Sequence, residues 1–423
     1  MRVPNLQAFI NGIADAGREL LVGHTKAAKP GIKALCQDLL SQRGEALGVA
    51  LAREVVRTYE GLNDKQRLEF FQLLLSDYGP DLGALDLAVA AYQSDPNQTT
   101  ASAMADAAEP ARQSLIRSIN MAPGGTGAVV AMRKQLLGLL RDHPELGPVE
   151  TDFGHLLKSW FNQGFLTLEQ IDWSTPALVL EKIISYEAVH EIQGWDDLRR
   201  RLDEDRRCYA FFHPALPDEP LIFVEVALVN GIADKVQPLL DLNGERGDAT
   251  HADTAIFYSI SNCQEGLKGI SFGNFLIKQV VAHLRQDLPN LKQFSTLSPI
   301  PGFGAWLERA RADHNPILGD LPENPPLHDE TDCKEPLLKL VAHYLVNEKR
   351  RGRPLDPVAR FHLGNGARIE RINWMGDTAE HAIHQSSGML VNYLYDLDKI
   401  ESYHEAFVNE GIIAHSRAIQ SLL

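Results

Sequence analysis

The sequence predicts an α + α/β chain, with an all-helical bundle over residues 1–160 followed by a mixed α/β domain over 161–423. Three observations predict it. Up to about residue 160 apolar residues recur at helical spacing, with Pro and Gly between the segments. Beyond that point β-branched and aromatic runs bounded by turn residues appear. Between 254 and 298 a strand, a glycine loop, a helix and a second strand follow one another. The 423 residues suffice for two or three domains, and 44% hydrophobic with 23% charged residues is ordinary globular usage.

In the helical half, "GLNDKQRLEFFQLLLSDYGP" is a well-punctuated helix. Asn63 stands as N-cap with Gln66 three places on, Leu68, Phe71 and Leu75 follow, and Gly79-Pro80 stops it. Similar patterns predict helices over 33–58, 81–93, 102–119 and 126–142, with no internal repeat. "PGGTG" at 123–127 reads as a turn, because an ordinary amphipathic helix follows and no Lys-Ser/Thr pair accompanies it.

The second half opens with "STPALVLEKII", where Thr175 reads as a cap and Pro176 as the first helical residue. "RRCYAFFHPALPDEPLIFVEVALV" reads as a hairpin turning at Pro-Asp-Glu-Pro, and "TAIFYSIS" (254–261) as a buried strand. In "GLKGISFGNFLIKQVVAHL" (266–284) glycines precede a helix whose apolar face is Leu276, Val280, Leu284 and Leu288 with Ile277 and Val281. Unpaired N–H groups at a helix start sit at the positive end of the helix dipole, so this loop suits an anion. "QFSTLS" (293–298) reads as the next strand; a Pro-rich connector at 315–336, a helix over 336–350 and the strand "GARIERINWM" follow.

Several function classes are disfavoured. A formal charge of −15 and a pI near 5.5 argue against nucleic acid or an anionic membrane as the main partner. Cys36, Cys208, Cys263 and Cys333 form no C-x-x-C pair, so neither a zinc ribbon nor a disulfide framework is signalled, and a reducing cytoplasm is expected. The loop is neither G-x-x-x-x-G-K-[ST] nor G-x-G-x-x-G, and no G-x-S-x-G elbow is present.

The order of hairpin, central strand, anion loop, helix and strand resembles the Gcn5-related acetyltransferase architecture, whose loop cradles the pyrophosphate of coenzyme A. That family's Arg/Gln-x-x-Gly-x-Gly/Ala would here read Lys268-Gly269-Ile270-Ser271-Phe272-Gly273, with Ser271 in place of the first required glycine. A closer resemblance runs through "AIFYSIS", "GLKG", "FLIKQVV", "LSPIPGF", "PVARFHLGNGARIERINWMGD" and "SSGMLVNYLY", which in this order are similar to the malonyl-CoA decarboxylase family. The resemblance implies conversion of malonyl-CoA to acetyl-CoA and CO2 on an acetyltransferase-like fold. It implies no separate cofactor, coenzyme A entering as part of the substrate, and no metal. It also implies a homo-oligomer, usually a tetramer, assembled through the helical half.

By the same resemblance Ser298 in "LSPIPGF" and His362 in "RFHLGNG" match the family's catalytic serine and histidine. His362 would protonate the enolate left when CO2 departs, and Ser298 would bind the malonyl carboxylate or relay a proton. Tyr395 and Asn392 in "VNYLY" are candidate donors to the thioester oxygen, with a core role as the alternative. Lys182 matches a family position, a solvated helix lysine being the alternative; His213 and Trp374 read as structural. Lys268, Gly269, Ile270, Ser271, Phe272, Gly273 and Asn274 are expected to hold the pyrophosphate. Two other functions remain open on the sequence alone: a coenzyme A-dependent acyltransferase, and a non-catalytic acyl-CoA-binding scaffold.

Overall fold

The computed structural model describes residues 12, 31–41, 44–270, 276–323, 325–327 and 332–423. Their contacts divide them into two compact units. One holds the described residues of Met1–Phe165 with His213–Pro217 and Gln264–Ser271; the other holds those of Leu166–Phe212, Asp218–Cys263 and Phe272–Leu423.

In the helical unit, local chemistry sets where helices start and stop. Asn63 caps Asp64–Ser76: its Oδ1 accepts the Gln66 N–H at 3.0 Å while Gln66 Oε1 accepts the Asn63 N–H at 3.0 Å. Two donors with no partner inside the helix are thereby satisfied. The helix expected over 33–58 is two, Ile32–Ser41 and Glu45–Glu60, the second entered from extended Gly44. That expected over 102–119 is also two, Gln98–Ala108 and Ala111–Asn120. Pro110 lacks an N–H and disfavours helical geometry in Glu109, which is extended at φ −69° and ψ 120°. At "PGGTG", Gly124 has φ +71°, and a Cβ on Gly125 would collide with the Ile119 carbonyl, so the turn itself requires both glycines.

The core of this unit is aromatic and aliphatic. Tyr59, Phe70, Phe71 and Phe153 meet edge to face at 5.0, 5.7 and 6.5 Å between successive centroids, beside fully buried Val55, Leu115, Val129 and Leu136. Helices Leu82–Ser94 and Gln98–Ala108 pack on each other and bury no residue, leaving Leu82 68% and Leu87 75% exposed.

The second unit is built on β1 (Thr167–Ile171), β2 (Arg206–Phe212), β3 (Ile222–Val229), β4 (Thr254–Asn262) and β5 (Gln293–Thr296). It adds a two-residue ribbon, β6 (Lys349–Arg350) and β7 (Arg353–Pro354), then β8 (Arg368–Asn373) and β9 (Leu390–Leu394). The sheet order is β1-β2-β3-β4-β5-β9-β8, and of these neighbours β4 and β5 alone run parallel. Such a pair needs a crossover, which residues 263–292 supply with helix Leu276–Asp287. That helix buries Leu276, Ile277, Val280, Val281 and Leu284, the face read from the sequence, while Leu288 lies beyond its end.

β3 and β4 are buried almost throughout, which explains their unbroken apolar texture. β1 is mostly exposed and β9 is short, and neither stood out as a strand in the sequence. Helix Ala177–Tyr186 covers the sheet through Val179, Leu180 and Ile183 against Cys208, Ala210 and Phe223. Its N-cap is Pro176 rather than Thr175, whose hydroxyl instead accepts the Asp172 N–H at 3.1 Å.

Charge is also carried into this core. Arg201 donates to Glu225 of β3 at 2.7 Å, to Asp197 at 2.9 Å and to the His190 carbonyl at 2.8 Å, all three residues being buried. Arg201→Ala would strand the Glu225 carboxylate in the sheet, and urea unfolding is expected to show a loss of about 3–5 kcal/mol.

Candidate active site

The site begins where the parallel pair parts. β4 and β5 are in register from Thr254↔Gln293 to Phe257↔Thr296, and the Leu297 N–H still donates to the Phe257 carbonyl at 2.9 Å. β4 then continues to Asn262 beside β3, while the other chain turns to β9. Ser298 exchanges backbone bonds with Val391 at 2.9 and 2.8 Å, and Pro299 has no N–H with which to extend that ladder. The gap is at the carboxyl ends of two parallel strands whose chain order then breaks, a common place for ligand clefts. A cavity of about 260 Å3 opens there, lined by Ile222, Ile260, Asn262, Pro299 and Phe361 with Ser298 and His362.

His362 reaches the cavity from helix Pro357–Gly364. Asp356 caps that helix by accepting the Ala359 N–H at 2.8 Å, and Pro357 takes the first helical position, so the entry is fixed by local chemistry. The ring is 2% exposed and stacks on Tyr393 with centroids 4.6 Å apart. Its Nε2 lies 3.1 Å from Ser298 Oγ and its Nδ1 2.8 Å from the Tyr395 hydroxyl. The Ser298 hydroxyl donates to Thr296 Oγ1 at 2.8 Å.

Counting donors assigns the tautomer. With the Ser298 proton on Thr296, His362 carries its own on Nε2 and donates to Ser298 Oγ, and Nδ1 accepts from Tyr395. All four side chains are then satisfied in one direction: Tyr395 to His362 to Ser298 to Thr296. Burial alone pushes the His362 imidazolium down to about 3, and burial likewise holds the Tyr395 phenol well above its usual range, so both are neutral near pH 7.

The remaining candidates fall elsewhere. Asn392 is fully buried, but its amide donates to the Thr296 and Ala233 carbonyls at 2.7 and 3.0 Å and accepts from Asn373 at 2.8 Å and Arg371 at 3.1 Å. That network uses both ends of the amide, so Asn392 braces β9 instead of presenting a donor to a ligand. Lys182 bonds Glu219 at 2.6 Å and the Asp218 carbonyl at 2.9 Å, and does not line the cavity. His213 accepts the Ala215 N–H at 3.1 Å and approaches the Trp160 carbonyl at 3.2 Å, a local structural role. Lys268, Gly269 and Ile270 follow a single helical turn, Glu265–Leu267, and Gly269 has φ +78°. Ser271, Phe272, Gly273 and Asn274 lie outside the described residues. Thr296 and Tyr393 were missed in the sequence; each sits in a strand where a polar or aromatic residue reads as ordinary sheet texture.

Residues 164–423 match the family model described as the malonyl-CoA decarboxylase C-terminal domain, and 78–161 match that of the N-terminal domain. The chain belongs to the malonyl-CoA decarboxylase family. Among solved structures it is similar to the malonyl-CoA decarboxylase of Rhodopseudomonas palustris, at 51% identity and a TM-score of 0.88 over 92% of this chain and 98% of that one. The Agrobacterium vitis malonyl-CoA decarboxylase is 49% identical with a TM-score of 0.84, over 92% and 99% of the two chains. The mitochondrial malonyl-CoA decarboxylase of Anser anser anser is 37% identical over 415 residues, 88% of this chain and 82% of its own. The activity is therefore that of a carboxy-lyase acting on malonyl-CoA.

A malonyl-CoA decarboxylase that buries a neutral histidine should show it in its acid stability. The usual His value of 6.5 falls to about 3 in the folded state, so between those values only the unfolded chain takes up the proton. Stability from this source is complete above 6.5 and is lost as pH falls toward 3. In urea titrations between pH 7 and 4, His362→Phe is expected to lose less stability than the wild type.

Proposed function

We propose that malonyl-CoA loses CO2 in the cavity between β4 and β5, and that the resulting enolate is protonated through Ser298, His362 and Tyr395. The observation that carries this reading is the one-directional hydrogen-bond chain whose His362 and Ser298 line a cavity with no Lys, Arg, Asp or Glu among its described lining residues. A malonyl carboxylate entering such a lining gives up hydration and meets no countercharge, a penalty that disappears as neutral CO2 forms. The electron pair of the breaking C–C bond passes into the thioester carbonyl, giving an enolate. The Ser298 hydroxyl then turns from Thr296 Oγ1 to the enolate carbon and gives it its proton, Ser298 Oγ takes the Nε2 proton, and Nδ1 takes the phenol proton of Tyr395, leaving a phenolate that solvent reprotonates after product leaves. Because His362 is neutral, it works as a relay rather than as a standing imidazolium acid.

CO2 release from malonyl-CoA with no added acceptor tests the reading against acyl transfer and against silent binding. Ser298→Ala and His362→Phe are each expected to lower kcat on the order of 10²-fold or more with little change in KM, since their bonds strengthen mainly in the transition state. Tyr395→Phe should lower kcat less. The kcat profile should show no loss centred near 6.5; a step there would mean an imidazolium donor and sink the neutral relay.

We further propose that the helical region assembles a homo-oligomer, with a tetramer as the expected size, and that the protein works in a reducing cytoplasm. Supporting the first is the pair Leu82–Ser94 and Gln98–Ala108, whose exposed Leu82 and Leu87 lack cover in one chain. Supporting the second, Cys36, Cys208 and Cys263 are buried thiols in no disulfide. Light scattering on full-length Leu82→Asp/Leu87→Asp is expected to show a smaller particle than wild type; an unchanged mass would move the interface elsewhere.

A further inference from the structure

The cavity beside Ser298 carries one polar side chain that the proton relay leaves unused. The polar side chains among its described lining residues are those of Tyr258, Asn262, Ser298 and His362. Ser298 and His362 are committed to each other, to Thr296 and to Tyr395. The Tyr258 ring packs in a core cluster with Val236, Ile256 and Leu297, and its hydroxyl is buried. Asn262 differs. It is exposed, and no described residue hydrogen-bonds its carboxamide. Its backbone is fixed as the last residue of β4, opposite Ile222 of β3, which also lines the cavity.

Strand register gives the distance between this carboxamide and the reacting end. Phe257 and Thr296 are the last partners of the parallel pair. Asn262 lies five residues beyond Phe257, and Ser298 two beyond Thr296, in strands that run the same way. Tyr258, one of the five, is an extra residue opposite the Glu225/Val226 step of β3, and a bulge adds little length. Asn262 therefore stands about two to three residues further along than Ser298, roughly 7–10 Å. In malonyl-CoA the α-carbon that takes the Ser298 proton is followed by the thioester carbon, the sulfur, two methylenes and then the first pantetheine amide. At the reach of an extended chain that amide lies about 6–8 Å from the α-carbon. The two lengths agree. The malonyl carboxylate is too near the α-carbon to reach Asn262 while Ser298 makes its contact. An amide drawn in beside Ile222, Ile260, Pro299 and Phe361 gives up water and needs a partner, and a carboxamide can donate to its carbonyl or accept from its N–H.

We propose that Asn262 is a substrate-binding residue: its carboxamide pairs with the pantetheine amide nearest the thioester and sets how far malonyl-CoA enters the cavity. The inference rests on the reading of this cavity as the place where CO2 is lost. Asn262 takes no part in moving the proton, so its contribution falls on binding.

The test measures CO2 release by full-length wild type, Asn262→Leu and Asn262→Ala on three substrates. These are malonyl-CoA, the malonyl thioester of N-acetylcysteamine, which keeps only the first amide, and S-ethyl malonyl thioester, which ends before it. Both variants are expected to lose about tenfold in kcat/KM for the first two, chiefly in KM, as one hydrogen bond would give. S-ethyl malonyl thioester should be turned over as by wild type. Asn262 is exposed, so neither variant disturbs the core, and their agreement separates the lost amide from the added apolar bulk of leucine. An equal loss on all three substrates would place the contact on the malonyl group and overturn the proposal. So would a loss confined to malonyl-CoA, which would place it further along the arm, or no loss at all. Ser298→Ala serves as the control for the cavity. If it leaves all three substrates unaffected, the reading of the cavity falls; if it slows all three while the Asn262 variants match wild type, only the role of Asn262 is wrong.

Discussion

Everything at the site depends on the separation of β4 and β5. A parallel pair cannot be closed by a tight turn, so the chain must leave the sheet after β4 and return through a helix. The divergence after Phe257 and Thr296 creates the cavity. β9 then enters next to β5 and bridges Ser298, which holds the serine at the cavity's edge by backbone bonds instead of side-chain packing. A single topological choice therefore generates a cleft and a fixed mount for Ser298.

Burial does the rest of the tuning. His362 is enclosed by Tyr393 and Tyr395, and the medium they provide cannot support an imidazolium. The same medium makes a direct bond to each ring nitrogen obligatory, and Tyr395 and Ser298 fill those two places. A neutral, fully bonded imidazole is a poor free acid and a good wire. In the proposed mechanism the departure of CO2 makes the basic carbon, for which a relay of weak acids is sufficient.

The two units also depart from the chain order. A helix of the first unit holds residues 264–270, which lie in sequence between two elements of the second. The segment is short and contributes carbonyls, not side chains, to its contact with Arg133. Substitution of its side chain at Lys268 would leave that contact in place.

Much of this was legible in the residues. Asn63 with Gln66 and the apolar face of 276–284 are local signals, and the helices they mark are where the pattern put them. β-branched runs located β3 and β4 because both lie inside a sheet covered on its faces. The family, and with it the activity, was legible because long motifs keep their order over the second half of the chain. What only the tertiary structure decided is which polar groups face one another. Asn392 and Tyr395 stand three apart in one run, yet the first is consumed by Thr296, Ala233, Asn373 and Arg371, while the second meets His362. Arg133 and Gly266 are joined across 133 positions. Periodicity records which side of its own element a residue takes; hydrogen-bond partners, and the burial that sets a histidine's charge, come from elements distant in sequence and exist only once those elements have packed.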